Sequence, residues 1–234
     1  MSFSLVCLPF AGSGASFYRA WTGLGVEGVR VIPLQLPGRE ECFLDTPYTD
    51  VVEAAGKLAP QALRLAEGEG SVALFGHSLG AVLAFEIARE IESLGFPELQ
   101  HLFVSGSPGP WTGREQRATG LDDEEFMVRV TEFAGYRHAA FDDPGLREIL
   151  LPLLRADVAM HEDYTPLSRE PLSVPVTAMR GADDELVSQE QSEQWRSATS
   201  GTFTTTEFPG GHMYVVDSAE QVLRTVARSI GNGW

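Results

Sequence analysis

Three short stretches hold residue types that could act together: Gly76-His77-Ser78-Leu79-Gly80, the run from Gly181 to Val187 with Asp183 and Asp184, and Pro209-Gly210-Gly211-His212-Met213. A serine hydroxyl is a poor nucleophile at neutral pH and needs an adjacent base. An imidazole suits that role because it titrates near neutrality, and a carboxylate can orient it. Ser78, Asp184 and His212 are therefore the candidate nucleophile, acid and base. Asp183 competes with Asp184 for one role, and Asp184 is preferred. The plainer reading of Ser78 is a capping serine in a glycine-rich loop. The other histidines fit less well. His77 is expected to point away from the hydroxyl and serve structure, His101 opens a strand at the wrong end of a sheet, and His138 and His161 suit surface or packing roles. No His-Glu-x-x-His run or histidine–carboxylate cluster suggests a metal site.

These residues must be carried by elements that bring them to one place. Ser71 to Phe75 is apolar and strand-like, and Leu79 to Arg89 reads as a small-residue helix, so Ser78 lies on a tight strand-to-helix turn. A Cβ at Gly76 or Gly80 is predicted to collide with the neighbouring strand or helix. Further strands are predicted at Phe3–Leu8, Val29–Leu34, His101–Ser107, Val174–Arg180 and Phe203–Phe208. Helices are predicted from Ser16 to Trp21, Tyr48 to Glu67, Ser188 to Ser197 and Asp217 to Ile230. This alternation implies a parallel sheet with right-handed crossovers and a site at the carboxyl ends of its strands.

The rhythm stops over residues 111–166, which is long for a simple connection. Asp122–Ala134 and Asp143–Asp163 read as helices, with Asp122 and Asp143 as N-caps and Pro144 at a first helical position. Phe126, Val130, Phe133, Ile149, Leu150, Leu153, Leu154 and Val158 recur at helical spacing. The plainer reading is ordinary core-facing stripes, but the length favours a helical cap, or lid, over the active site, with some of the stripe residues lining an acyl channel.

After the first strand, Pro9-Phe10-Ala11-Gly12-Ser13-Gly14 forms a small-residue loop. It lacks the third glycine of a dinucleotide fingerprint, and the next strand ends in Gln35-Leu36-Pro37 without an acidic residue. An oxyanion loop fits better. Backbone N–H groups of Ala11 and Leu79 are the expected donors, with Phe10 an alternative.

Composition narrows the partners. The 234 residues carry a net charge of −16, which argues against nucleic acid and anionic membrane. Hydrophobic residues make up 43%, enough for one domain with a real core. Cys7 and Cys42 form no metal or redox motif, so reduced thiols and a cytoplasmic location are expected. No signal peptide or membrane span is read.

The order Ser…Asp…His is that of α/β-hydrolases. Taken with Leu8 to Gly14, Leu36-Pro37-Gly38-Arg39-Glu40, Leu154-Arg155-Ala156-Asp157 with Tyr164, Gly181 to Val187 and Pro209 to Met213, the chain resembles the stand-alone type II thioesterases of polyketide and nonribosomal peptide assembly lines. The blocks occur in order over nearly the whole length. The resemblance implies an α/β-hydrolase fold with a mostly parallel central sheet flanked by helices and a helical lid. It also implies an editing thioesterase that releases stalled acyl groups from the phosphopantetheine thiol of acyl or peptidyl carrier proteins through an acyl-Ser78 intermediate, with no cofactor. Arg39 and Arg155 to Asp157 would serve structure. Ser13 departs from the Gly-Gly of many relatives and places a hydroxyl near the presumed oxyanion hole. A monomer is expected, docking an acidic carrier through Arg114, Arg117 and Arg137 plus apolar contact. The rival readings are a generic serine esterase or lipase, a terminal macrocyclising thioesterase and a non-catalytic hydrolase-fold binding protein.

Overall fold

A computed structural model of the chain describes residues 2–66, 71–96, 99–113, 116–135 and 139–231. Six strands, β1 (Phe3–Leu8), β2 (Val29–Pro33), β3 (Val72–His77), β4 (Leu99–Ser105), β5 (Val176–Gly181) and β6 (Phe203–Phe208), form one sheet in the order β2-β1-β3-β4-β5-β6. Every neighbouring pair is parallel. The apolar runs work as strands buried on both sides because side chains alternate between faces. Val6, Leu8, Leu74, Leu102 and Val104 enter one core with α2 (Val51–Leu65) and α3 (Leu79–Ser93). Leu5, Cys7, Ala73, Phe75 and Phe103 enter the other with α1 (Ala15–Thr22) and the last helix, α7 (Ala219–Gly231).

The chain runs from β1 to β2 on one side and then crosses to β3 on the other side of β1. The order reverses between β1 and β3, and parallel sheets bind ligands above such a switch point. Both the loop after β1 and the turn after β3 leave the sheet there.

Between β4 and β5 lie α4 (Asp123–Ala134) and α5 (Pro144–Glu162). Asp122 caps α4 by accepting the N–H groups of Glu124 and Glu125, and Asp143 caps α5 through Leu146 N–H, with Pro144 at its start. The two helices share a cluster of their own around Phe126, Met127, Leu151 and Leu154. Among the described residues no helix is long and apolar enough to cross a membrane.

Two predicted helices are shorter than expected. The second begins at Val51, where the Asp50 carboxylate accepts Glu53 N–H and stops the helix from extending back to Tyr48. The stretch after Ser188 is a short α6 (Gln189–Glu193) followed by a 3-10 turn (Gln194–Ala198). That tightening accompanies the full burial of Trp195, whose indole N–H donates to the Ser107 carbonyl and whose ring packs edge-on against Phe85.

Candidate active site

Ser78 follows β3 at φ 54° and ψ −117°, a conformation L-residues avoid. Its side chain makes no helix-capping bond, which removes the capping-serine reading. The turn is forced by sterics. A Cβ at Gly76 would lie 1.8 Å from the Gly80 carbonyl oxygen, and one at Gly80 would lie 2.4 Å from the Leu8 carbonyl oxygen. Ser78 N–H donates to the Ser105 carbonyl at 2.8 Å, tying the turn to β4.

The loop after β5 delivers Asp184 to the same rim, and the loop after β6 delivers His212. His212 Nδ1–H donates to Asp184 Oδ2 at 2.9 Å, with both residues buried. Asp184 Oδ1 accepts the N–H groups of Leu186 at 2.9 Å and Val187 at 3.0 Å. Burial by itself would raise the Asp184 pKa. The hydrogen bond and charge of His212, with the two N–H groups, outweigh it and hold the carboxyl below its ordinary value. Asp183 is exposed on the turn and makes no such pair with His212. Arg180 braces the loop after β5, with Nη2 donating to the Asp184 carbonyl and Nε to the Val187 carbonyl.

Ser78, His212, Ala11 and Gly12 border one cavity of about 390 Å³. Much of its apolar wall comes from the inserted helices, with Val130 and Phe133 of α4 and Ile149, Leu150, Leu153, Leu154 and Val158 of α5, and the segment from Gly38 to Glu40 with Phe43 completes it. Phe126 is a stripe residue that serves the core and not the cavity. It is buried within the α4–α5 cluster, under the Arg155 guanidinium. His161 is buried and borders the cavity, so its role is not a surface one.

His77 is buried, its Nδ1 2.8 Å from Ser105 Oγ, which in turn lies 2.6 Å from Tyr214 OH. Its ring centroid is 4.9 Å from that of His212, so it packs beside the His212 ring. His101 lies within β4, stacked on Phe103 and bonded to Thr177 Oγ1. Burial lowers its pKa from 6.5 to about 4. Of the three arginines expected to meet a partner, Arg117 is bound to Glu162 and Asp163. Arg114 and Arg137 lie outside the described residues, as does His138. Cys7 and Cys42 are free thiols.

A family model described as "Thioesterase domain" matches residues 3–230. The chain belongs to the thioesterase family. Its reaction class is therefore hydrolysis of a thioester. This thioesterase is 31% identical to the gramicidin S biosynthesis protein GrsT of Aneurinibacillus migulanus, over 97% of its own length and 88% of GrsT. Among solved structures it is similar to the type II thioesterase BorB from the borrelidin biosynthetic cluster, at 35% identity and TM-score 0.84, covering 98% of this chain and 93% of BorB. It is also similar to ClbQ from the colibactin NRPS/PKS pathway, at 28% identity and TM-score 0.90, covering 99% and 98%. Its sheet and flanking helices are those of the α/β-hydrolase fold.

Proposed function

We propose that this thioesterase hydrolyses acyl groups from the phosphopantetheine thiol of acyl or peptidyl carrier proteins, clearing stalled assembly lines in the cytoplasm. The observation that carries the mechanism is the buried Asp184–His212 pair opening on the same cavity as the strained Ser78. Ser78 Oγ attacks the thioester carbonyl carbon as its proton passes to His212. Asp184 holds the imidazole through Nδ1 and offsets the charge it gains. The tetrahedral intermediate collapses, the C–S bond breaks and the thiol leaves with the proton from His212. Water then attacks the acyl-serine, with His212 again as base.

Ala11 and Leu79 N–H groups hold the oxyanion. Leu79 begins α3, where first-turn N–H groups have no partner inside the helix. In the loop after β1, Gly12 N–H is taken by Asp157 and Ser13 N–H by the Phe10 carbonyl. Ser13 Oγ also donates to the Phe10 carbonyl, at 2.8 Å. That carbonyl and the Ala11 N–H belong to one planar trans peptide and point in opposite directions. The departure at Ser13 thus fixes the plane that presents the donor and keeps the hydroxyl out of the hole.

In this reading residues 111–166 are a lid insertion within one hydrolase domain, and the α4–α5 wall takes the acyl chain. Carrier-bound substrates are inferred from relatives whose names belong to polyketide and nonribosomal peptide pathways. The test is mass spectrometry of the Ser78 peptide after incubation with a panel of acyl-carrier proteins. An acyl adduct on Ser78, with faster turnover of carrier thioesters than of nitrophenyl esters, is expected. Preference for the nitrophenyl esters would make it a generic esterase, and no adduct with acyl carriers or a fluorophosphonate would make it a binding protein.

A further inference from the structure

The loop presenting Ala11 is held by two segments remote from it in the chain. Asp157, in the second half of α5, accepts Gly12 N–H on Oδ2 at 2.8 Å. The same carboxylate receives both ends of the Arg39 guanidinium, Nη1 on Oδ2 at 2.7 Å and Nη2 on Oδ1 at 2.9 Å. Arg39 Nη1 donates once more, to the Ser13 carbonyl at 2.9 Å. Both side chains are buried. The next residue, Glu40, sits at φ 49°, and its carboxylate accepts Ser16 N–H where the same loop enters α1.

A buried ion pair is a poor device for stability alone, because desolvating two charges offsets most of their attraction. This pair does what apolar side chains could not. It fixes the Ala11–Gly12 peptide through its N–H and the Ser13–Gly14 peptide through its carbonyl. The Phe10–Ala11 peptide, which carries the Ala11 N–H, is hinged directly to the first of these. A strained Glu40 beside the pair fits a segment shaped for positioning.

We propose that Arg39 and Asp157 are positioning residues for the oxyanion hole. They clamp the peptides around Gly12 so that the Ala11 N–H stays aimed at the charge that develops on the thioester oxygen. The inserted helix α5 then contributes to the chemistry as well as to the acyl wall. The inference rests on the serine-hydrolase reading above.

Two variants test it. The double variant Arg39→Met/Asp157→Leu replaces the pair with apolar side chains, a change that buried pairs tolerate well in stability. Arg39→Lys keeps the charge but loses the planar fork. Each is assayed for hydrolysis of an acyl-pantetheine thioester, at a temperature where thermal unfolding shows it folded. Each is also titrated with a straight-chain alkylboronic acid, whose tetrahedral adduct on Ser78 places an oxygen in the hole, and with a thioether analogue that has no carbonyl. The expected result is a kcat lower by about 10- to 100-fold, KM within about threefold, boronate affinity reduced in step with kcat and thioether affinity unchanged. A folded variant with kcat within about threefold of the parent would overturn the proposal. So would boronate and thioether affinities that fall together. Arg39→Lys decides alone, on the same readouts, if the double variant does not fold. Failure of the underlying reading looks different: the parent chain itself would then show no boronate binding and no fluorophosphonate adduct.

Discussion

The rim of the sheet and the inserted α4–α5 pair both line one cavity but are built by different physical means. On the rim, Ser78 and Asp184 leave the ends of fully buried strands and His212 the end of the half-exposed edge strand β6, and hydrogen bonds fix the Asp184 loop from several sides. The inserted helices meet through an apolar cluster flanked by the surface ion pairs Arg155–Asp123 and Arg147–Glu124, and Val128, Leu146 and Ile149 are exposed. Polar ties to other parts of the molecule hold the second half of α5 and the segment after it. Asp157 binds the loop after β1, Glu162 accepts Ala118 and Thr119 N–H, and Tyr164 donates to Glu86 on α3. Directional bonds place reacting atoms, whereas non-directional packing accommodates chains of varied shape. In the proposed reading the rim carries the bond-breaking step and the insertion sets chain preference.

The largest effects should come from the rim. Ser78→Ala should lower turnover by on the order of 10⁴-fold or more without changing the fold, read by steady-state kinetics beside circular dichroism. Comparable turnover in that variant would place the chemistry elsewhere. Asp184→Asn should cost about 10² to 10⁴ in kcat with little change in KM. Because the folded-state pKa of Asp184 is lowered, the carboxylate stabilises the protein above its ordinary value of 3.8 and loses that contribution as pH falls through the lower folded value. The asparagine variant should therefore show a shallower acid limb in denaturant titrations at low pH.

His101 tests the rigidity of the same sheet away from the chemistry. Its folded pKa lies below its unfolded one, so stability should fall by up to about 3 kcal/mol as pH drops from 6.5 to about 4. His101→Gln should flatten that slope, and an unchanged slope would show that the ring is not held buried and neutral.

The insertion should respond more gently. Leu153→Phe narrows the α5 wall and should lower kcat/KM for medium-length acyl chains by about 10-fold while sparing acetyl thioesters. An equal loss for both would mean that α5 bears on chemistry along its whole length and not only through Asp157. Asp122→Ala removes the cap of α4 and should cost about 1 kcal/mol, seen as faster hydrogen exchange confined to α4. Exchange spreading to β3 would break the division between the two walls.

Much of this was readable before folding because the signals are local. The glycines flanking Ser78, the caps Asp122 and Asp143, and apolar runs of strand length each report a short-range constraint, and these elements stand close to where the pattern put them. Of the two boundaries that shifted, one follows the local cap Asp50 and the other a side chain that reached out of its own element, Trp195. Phe126 kept the helical period of its neighbours but faces the helix pair, since periodicity gives a face and not what lies opposite it.

By itself, then, the sequence determined the residue types available for the chemistry, their order along the chain and the tight turn that places Ser78 at the cavity. Folding decided which of two adjacent aspartates meets His212, what shape the acyl cavity takes, and that Arg39 and Asp157, 118 positions apart, form a buried ion pair at the edge of the site. The reason is physical: a turn or a cap is written in neighbouring residues, whereas a buried charge finds its partner only when distant segments are packed against each other.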